Sequence, residues 1–102
     1  MIARVWSART TRTHLAAYLD HLSRRVFPEL QALAGFAGVS ALTREEANAV
    51  EVIVITQWKS LAAIEAFAGK DREVAVVAPE AAALLTDYDR RVRHYEIAVA
   101  KP

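Results

Sequence analysis

Apolar and polar positions alternate along Ile2–Ala8 (IARVWSA), a short β-branched and aromatic run that predicts a strand. The period then changes. Leu15, Leu19, Leu22 and Val26 recur at spacings of 4, 3 and 4, and this single apolar stripe predicts a helix over Thr10–Val26, ended or kinked by Pro28 near Phe27. Thr10, Thr11 and Thr13 are candidate N-caps, and Asp20 and Arg24 pair four residues apart on the wet side. After an irregular turn through Glu29–Ala34, Gly35-Phe-Ala-Gly38 opens a strand over Phe36–Thr43. The polar run Arg44–Asn48 turns the chain into Ala49–Trp58, and the two segments read as a hairpin. Val52–Ile55 is apolar at successive positions, which predicts a central strand covered on both faces.

Ser60 caps a second helix in which Leu61, Ile64, Phe67 and Ala68 share a face, and Gly69 stands where a C-terminal stop is wanted. Asp71–Val77 fits either a helical turn or an extended loop. Pro79 at a first helical position, followed by Glu80, predicts a further helix with Leu84, Leu85 and Tyr88 turned inward. Arg90–Ala100 closes the chain as a strand, with Val92, Ile97 and Val99 β-branched. The sum is an α+β chain of the ferredoxin-like type, β-α-β-β-α-β with one extra helix. Right-handed crossovers set an antiparallel four-stranded sheet of order 4-1-3-2 with its helices on one face. The other face carries too much apolar surface for water, so a second copy is expected to cover it, giving a symmetric homodimer.

With 102 residues the chain has room for one two-layer core, so residues 1–102 form a single domain. A formal charge of +1 leaves no bulk electrostatic drive toward nucleic acid or an anionic membrane, although ten of the 13 cations are Arg. The absence of Cys excludes disulfides, thiolate catalysis and cysteine-bound metal, and suits a reducing cytoplasm. Arg4, Arg9 and Arg12 interrupt the N-terminus where a signal peptide needs an apolar run. The longest uncharged stretch, Leu30–Thr43, falls short of the ~20 residues that span a bilayer. The expectation is a cytoplasmic protein with neither nucleic acid nor membrane as partner.

Arg4-Val-Trp6, Gly35-Phe-Ala-Gly38, Trp58-Lys-Ser60 leading into Ala66-Phe-Ala-Gly69, and the closing Val92-Arg-His-Tyr-Glu96 together resemble the antibiotic biosynthesis monooxygenase family, along essentially the whole chain. The resemblance implies a dimeric α+β barrel and a chemistry drawn from oxygenases, haem degraders and members with no known activity. Its haem-degrading pattern looks like Asn on the first strand, Trp on the helix after Trp-Lys-Ser, and His about ten residues later. Here the first strand lacks Asn, Phe67 takes the aromatic place and the His place falls near Val77. No haem, metal or other cofactor is therefore expected. The anthrone-oxidising members look cofactor-free. This chain keeps Trp58 but has Thr56 and Gln57, not Asn, before it.

The candidate catalytic residues are His94 and Arg4. The order 4-1-3-2 sets the last strand beside the first, where Arg4 and Trp6 share a parity, and a histidine is the side chain suited to proton transfer near neutrality. An arginine in a central strand needs a partner. A structural ion pair with Glu96 or Glu51 is expected first, an anionic or enolate oxygen of a ligand second. Trp6, Trp58 and Phe67 are candidate walls for an aromatic ligand, with Tyr88 closing one end. His14, Tyr18 and His21 share one side of the first helix but lack a third ligand at helical spacing, so they read as a polar rim and not a metal site. Arg90, Arg91 and Arg93 read as the exposed side of the last strand. The functional expectation is cofactor-independent oxidation of a small aromatic or quinonoid substrate, with His94 as base and Arg4 on the oxyanion. The alternative is a non-catalytic dimer that binds small molecules or serves in stress.

Overall fold

Strand β1 (Ile2–Thr10) is the spine of the computed structural model, which describes residues 1–102. It pairs antiparallel with β3 (Val50–Trp58) along its length, from Ile2 opposite Trp58 to Thr10 opposite Val50. β3 pairs in turn with β2 (Phe36–Glu45), the hairpin read from the sequence. On the other edge of β1 lie two short strands, β4 (Leu85–Tyr88) opposite Ala8–Thr10 and β5 (Arg93–Glu96) opposite Ile2–Val5. The sheet order is thus 4-1-3-2 with its fourth strand in two pieces, and the fold is α+β and ferredoxin-like.

This split corrects the expected end of the chain. Helix α4 is only Pro79–Ala82, and Leu85 and Tyr88 belong to β4 and not to a helix. The far half of β1 needs a hydrogen-bonding neighbour, and a longer helix would leave it bare. Nor does the closing strand span Arg90–Ala100. Between β4 and β5 the backbone leaves β1 and bonds the 71–78 segment: Ala75 N–H donates to Arg90 C=O at 2.9 Å and Val92 N–H to Glu73 C=O at 2.7 Å. After a turn at 71–73 the segment to residue 78 is therefore an extended strap, joined to the connection between β4 and β5 by one bridge between Val74 and Arg91.

Helix α1 (Arg12–His21) starts at Thr11, whose hydroxyl accepts from His14 N–H at 3.1 Å. It does not end at Pro28. Leu22–Val26 forms a π-helical turn, with Phe27 N–H bonded to Leu22 C=O, and α2 (Phe27–Gln31) carries the axis on. Pro28 offers no N–H and crowds the carbonyl four residues back, and the wider π-turn before it relieves both problems. Helix α3 (Leu61–Ala68) is capped by Ser60 as expected.

The antiparallel register assigns the two faces. Toward the helices point Ile2, Arg4, Trp6, Ala8 and Thr10 from β1, and Val50, Val52, Val54, Thr56 and Trp58 from β3. They pack in two patches, one around Tyr18, Leu22, Val52 and Ala81, the other around Leu30, Trp58 and Ile64. Away from the helices point Val5, Ile53 and Ile55, with Leu42 45% and Tyr95 50% exposed beside them. No helix is long and apolar enough to cross a membrane.

Gly35 closes the turn before β2 at φ +83°, and a Cβ there would come within 2.5 Å of Ala63 Cβ on α3. Both the left-handed backbone and the contact forbid a side chain. Gly35→Ala should cost about 1–3 kcal/mol, a Tm loss of roughly 5–15 °C for a domain of this size. An unchanged melting curve would show that α3 does not press on this turn.

Candidate functional site

A cleft opens between the helix-side face of the sheet and the α1–α2 helix, with the strap across its edge. The centre of a water-sized sphere can move through about 90 Å³ of it, and 12 of its 15 lining residues are hydrophobic. Trp6 and Val54 form the sheet wall, Tyr18 and Leu22 the helix wall, and Phe67 and Val77 close the remaining sides. Such a cavity, mainly hydrocarbon with few polar groups, is the usual form of a small-molecule site.

Arg4 is the charge in this cleft. It is 5% exposed and has no carboxylate within ion-pairing distance. The expected structural pairs do not form, because Glu96 lies nearest the N-terminal amine and Glu51 nearest Arg44. The guanidinium instead donates to the carbonyls of Arg72 and, at 2.8 Å, Val74 on the strap, and to His94 Nε2 at 3.0 Å. Its carbon also sits 5.7 Å from the centroid of the Phe67 ring. Burial lowers the Arg4 pKa to about 10, which still leaves the group charged at neutral pH. Those three bonds occupy three of the five N–H groups of a guanidinium, so two stay open to a ligand.

The register sets His94 directly opposite Arg4, on the same face. An arginine can only donate, so the Nε2 that meets it is the acceptor and the proton is on Nδ1. Burial first, and the Arg4 charge second, hold the His94 pKa below its ordinary value of 6.5; Arg72 acts the same way and Glu73 opposes them. His94 touches the cleft through Arg4 and does not line it.

The aromatic candidates divide. Trp6 and Phe67 line the cleft, and Trp6 Nε1 donates to Asp89 C=O at 2.7 Å. Trp58 is wholly buried behind them, stacked on Phe67 at 5.4 Å, with Nε1 donating to Thr56 Oγ1. It supports the wall without forming it. Tyr88 packs on Trp6 at 6.1 Å, with Arg90 over its ring, and lines a second hollow beside the strap. Arg91 is more than an exposed charge, since it grips Asp71 at 3.0 Å and Glu73 at 3.5 Å on the strap and holds the Asp71 carboxyl below the usual range.

Two helix residues enter the site that the sequence had placed in a polar rim. Tyr18 is 1% exposed, its hydroxyl pKa raised to about 12 by burial, and His21 lines the cleft one turn further on. Their i, i+3 spacing next to the Leu stripe was the available signal; the π-turn that starts at Leu22 was not visible. No three groups gather as metal ligands, and the Phe67 and Val77 side chains that face the cleft have no ligating atom, so the lining does not fit the haem pattern.

The geometry defines a ferredoxin-like α+β domain with an apolar, arginine-bearing cleft between sheet and helices. The family model for antibiotic biosynthesis monooxygenase matches residues 1–79, and the chain belongs to that family. The match stops at Pro79, short of the whole-chain resemblance expected, so Tyr88 and His94 lie beyond it. The solved structure of a presumptive antibiotic biosynthesis monooxygenase from Bacillus cereus is similar at TM-score 0.67 and 15% identity, over 99% of this chain and 96% of that one. A MhuD mutant, solved with two manganese protoporphyrin IX molecules per active site, is similar at TM-score 0.65 and 15% identity, over 100% of this chain and 99% of that one. No curated protein matches the sequence.

The His94 environment predicts a pH effect. Its folded pKa lies below the unfolded value of 6.5, so the native state binds fewer protons. This contribution to stability is complete above about pH 6.5 and is lost as pH falls through the lowered value. The Tm of the natural protein should therefore fall more steeply between pH 7 and pH 5 than that of His94→Gln, which keeps an acceptor for Arg4 but does not titrate. Equal slopes would show that His94 titrates as it does in the unfolded chain.

Proposed function

We propose that the chain is a cofactor-independent oxygenase of a small aromatic or quinonoid molecule bound in this cleft. One observation carries the reading: Arg4 is a desolvated cation on an apolar cavity with no carboxylate partner. A buried charge of that kind favours an anionic ligand, and a phenolate supplies the anion together with a flat ring for Trp6 and Phe67. For the phenol proton to reach His94 Nε2, which stands behind Arg4, the guanidinium swings onto the phenolate oxygen and uncovers that nitrogen to the cleft. The electron-rich ring carbon then adds molecular oxygen, and the proton held by His94 passes to the peroxide. Loss of water leaves a second carbonyl: one oxygen atom ends in the product and the other in water. Holding the anion on the buried Arg4 against apolar walls supplies most of the rate.

A second reading, binding without turnover, draws support from His94 itself, whose acceptor nitrogen is already engaged by Arg4. Oxygen uptake with 1-naphthol separates the two. Turnover should consume one O₂ per naphthoquinone formed, with His94→Ala slower by about 10²–10⁴-fold and Arg4→Gln slower by about 10²-fold. Binding without uptake gives the second reading; absence of binding removes both.

The reading includes a homodimer formed through the sheet face opposite the helices, as a family resemblance to dimeric barrels implies. Its support is the row Tyr95, Val5, Ile55, Ile53 and Leu42, apolar side chains left partly in water across adjacent strands. Sedimentation at micromolar concentration should show a dimer, and Ile53→Lys should yield a folded monomer. A natural protein that sediments as a monomer would refute this assembly.

A further inference from the structure

His21 is the one residue with a buried side-chain nitrogen that lacks a partner: no group of the protein reaches its Nε2. A buried polar atom left unpaired is unfavourable and calls for an explanation. The ring lines the same cleft as Arg4, but from the helix wall, whereas Arg4 comes from the sheet. His21 is the last residue of α1, and the π-turn begins at the next position, a local widening of the helix that often accompanies a functional side chain. Tyr18, one turn earlier, lines the cleft beside it and stays a neutral phenol.

We propose that His21 sets the specificity of the cleft by bonding, through Nε2, an oxygen on the edge of an aromatic ligand remote from the anion held by Arg4. The inference rests on the reading of Arg4 as an anion site and adds a second polar anchor to it. Nδ1 is not among the buried unpaired atoms, so in the neutral ring it can accept from water while Nε2 carries the hydrogen toward a ligand carbonyl. The preferred ligand is then a planar aromatic anion with a carbonyl across the ring. An aromatic anion with hydrocarbon at that edge leaves His21 unpaired and binds less well, because a site built to hydrogen-bond discriminates against a ligand that lacks the group.

Two probes test this by calorimetry on the full chain: 2-hydroxy-1,4-naphthoquinone, an anion with a carbonyl across the ring, and 2-naphthoate, an anion without one. The natural protein should bind the quinone about tenfold more tightly, the worth of one net hydrogen bond. His21→Leu should remove that preference by weakening the quinone about tenfold more than naphthoate, and His21→Gln, which keeps a donor, should restore part of it. Arg4→Gln should weaken both probes. A readout that needs no variant is the ¹⁵N resonance of His21 Nε2, which should shift with the quinone and not with naphthoate. If naphthoate binds through Arg4 but His21→Leu leaves the preference as it was, or the resonance does not move, the second anchor is refuted and the Arg4 reading survives. If neither probe binds the natural protein, both fall.

Discussion

The arrangement depends on burying one cation without burying an anion beside it. Arg4 sits in the central strand, on the face that packs against the helices, where a charge is costly unless its hydrogens are satisfied. A carboxylate partner would neutralise it. The protein instead satisfies it with two backbone carbonyls of the strap and the neutral nitrogen of His94, all acceptors without full charge. The guanidinium is thereby held and solvated by dipoles while its positive charge stays available. In a cavity otherwise made of hydrocarbon, that charge is the strongest feature a ligand meets.

The same interaction explains why the edge of the sheet is broken. The strap has few apolar side chains turned into the core, and Val74 and Val76 are 40% and 54% exposed. It is held by hydrogen bonds: Arg4 from the sheet, the Ala75 amide to Arg90 C=O, the Val92 amide to Glu73 C=O, and Arg91 on Asp71 and Glu73. For the 90–92 segment to bond the strap it must leave β1, and the fourth strand divides there. The break in the ladder and the closure of the cleft are two results of one choice of hydrogen-bond partners. Surface ion pairs such as Arg91 with Asp71 add little energy by themselves, so most of the fixing falls to the buried Arg4.

Polarity is concentrated on a few positions of each wall. The sheet contributes Arg4 and Thr56, the helix contributes Tyr18 and His21, and the surrounding side chains are aliphatic or aromatic. Trp58, which carries the aromatic signature of the family resemblance, acts from behind as a buried support for Phe67, its indole N–H occupied by Thr56. The π-turn has a similar supporting place. Pro28 demands a departure from regular α-helix, and the departure falls at the residues that follow His21.

Local rules in the sequence determined the elements that local forces make. The alternation of Ile2–Ala8, the Leu stripe of the first helix, the Ser60 cap and the β2–β3 hairpin all formed as their patterns demanded, and chirality of the crossovers then gave the sheet order. The pairing of Arg4 with His94 was half legible. Topology brought their strands together, but side chains alternate with a period of two, so only the actual register could set both on one face. Leu85–Tyr88 looks helical in sequence because Pro79 and Glu80 mark a helix start equally well for one turn or three, and the unpaired half of β1 decides its length. Glu96 and Glu51 each had the right charge to meet Arg4; the fold spent them elsewhere and turned the strap carbonyls inward. His21 looked like rim because a helical stripe does not show where its neighbour stops covering it. That boundary belongs to packing between distant segments, which spacing along one chain does not record.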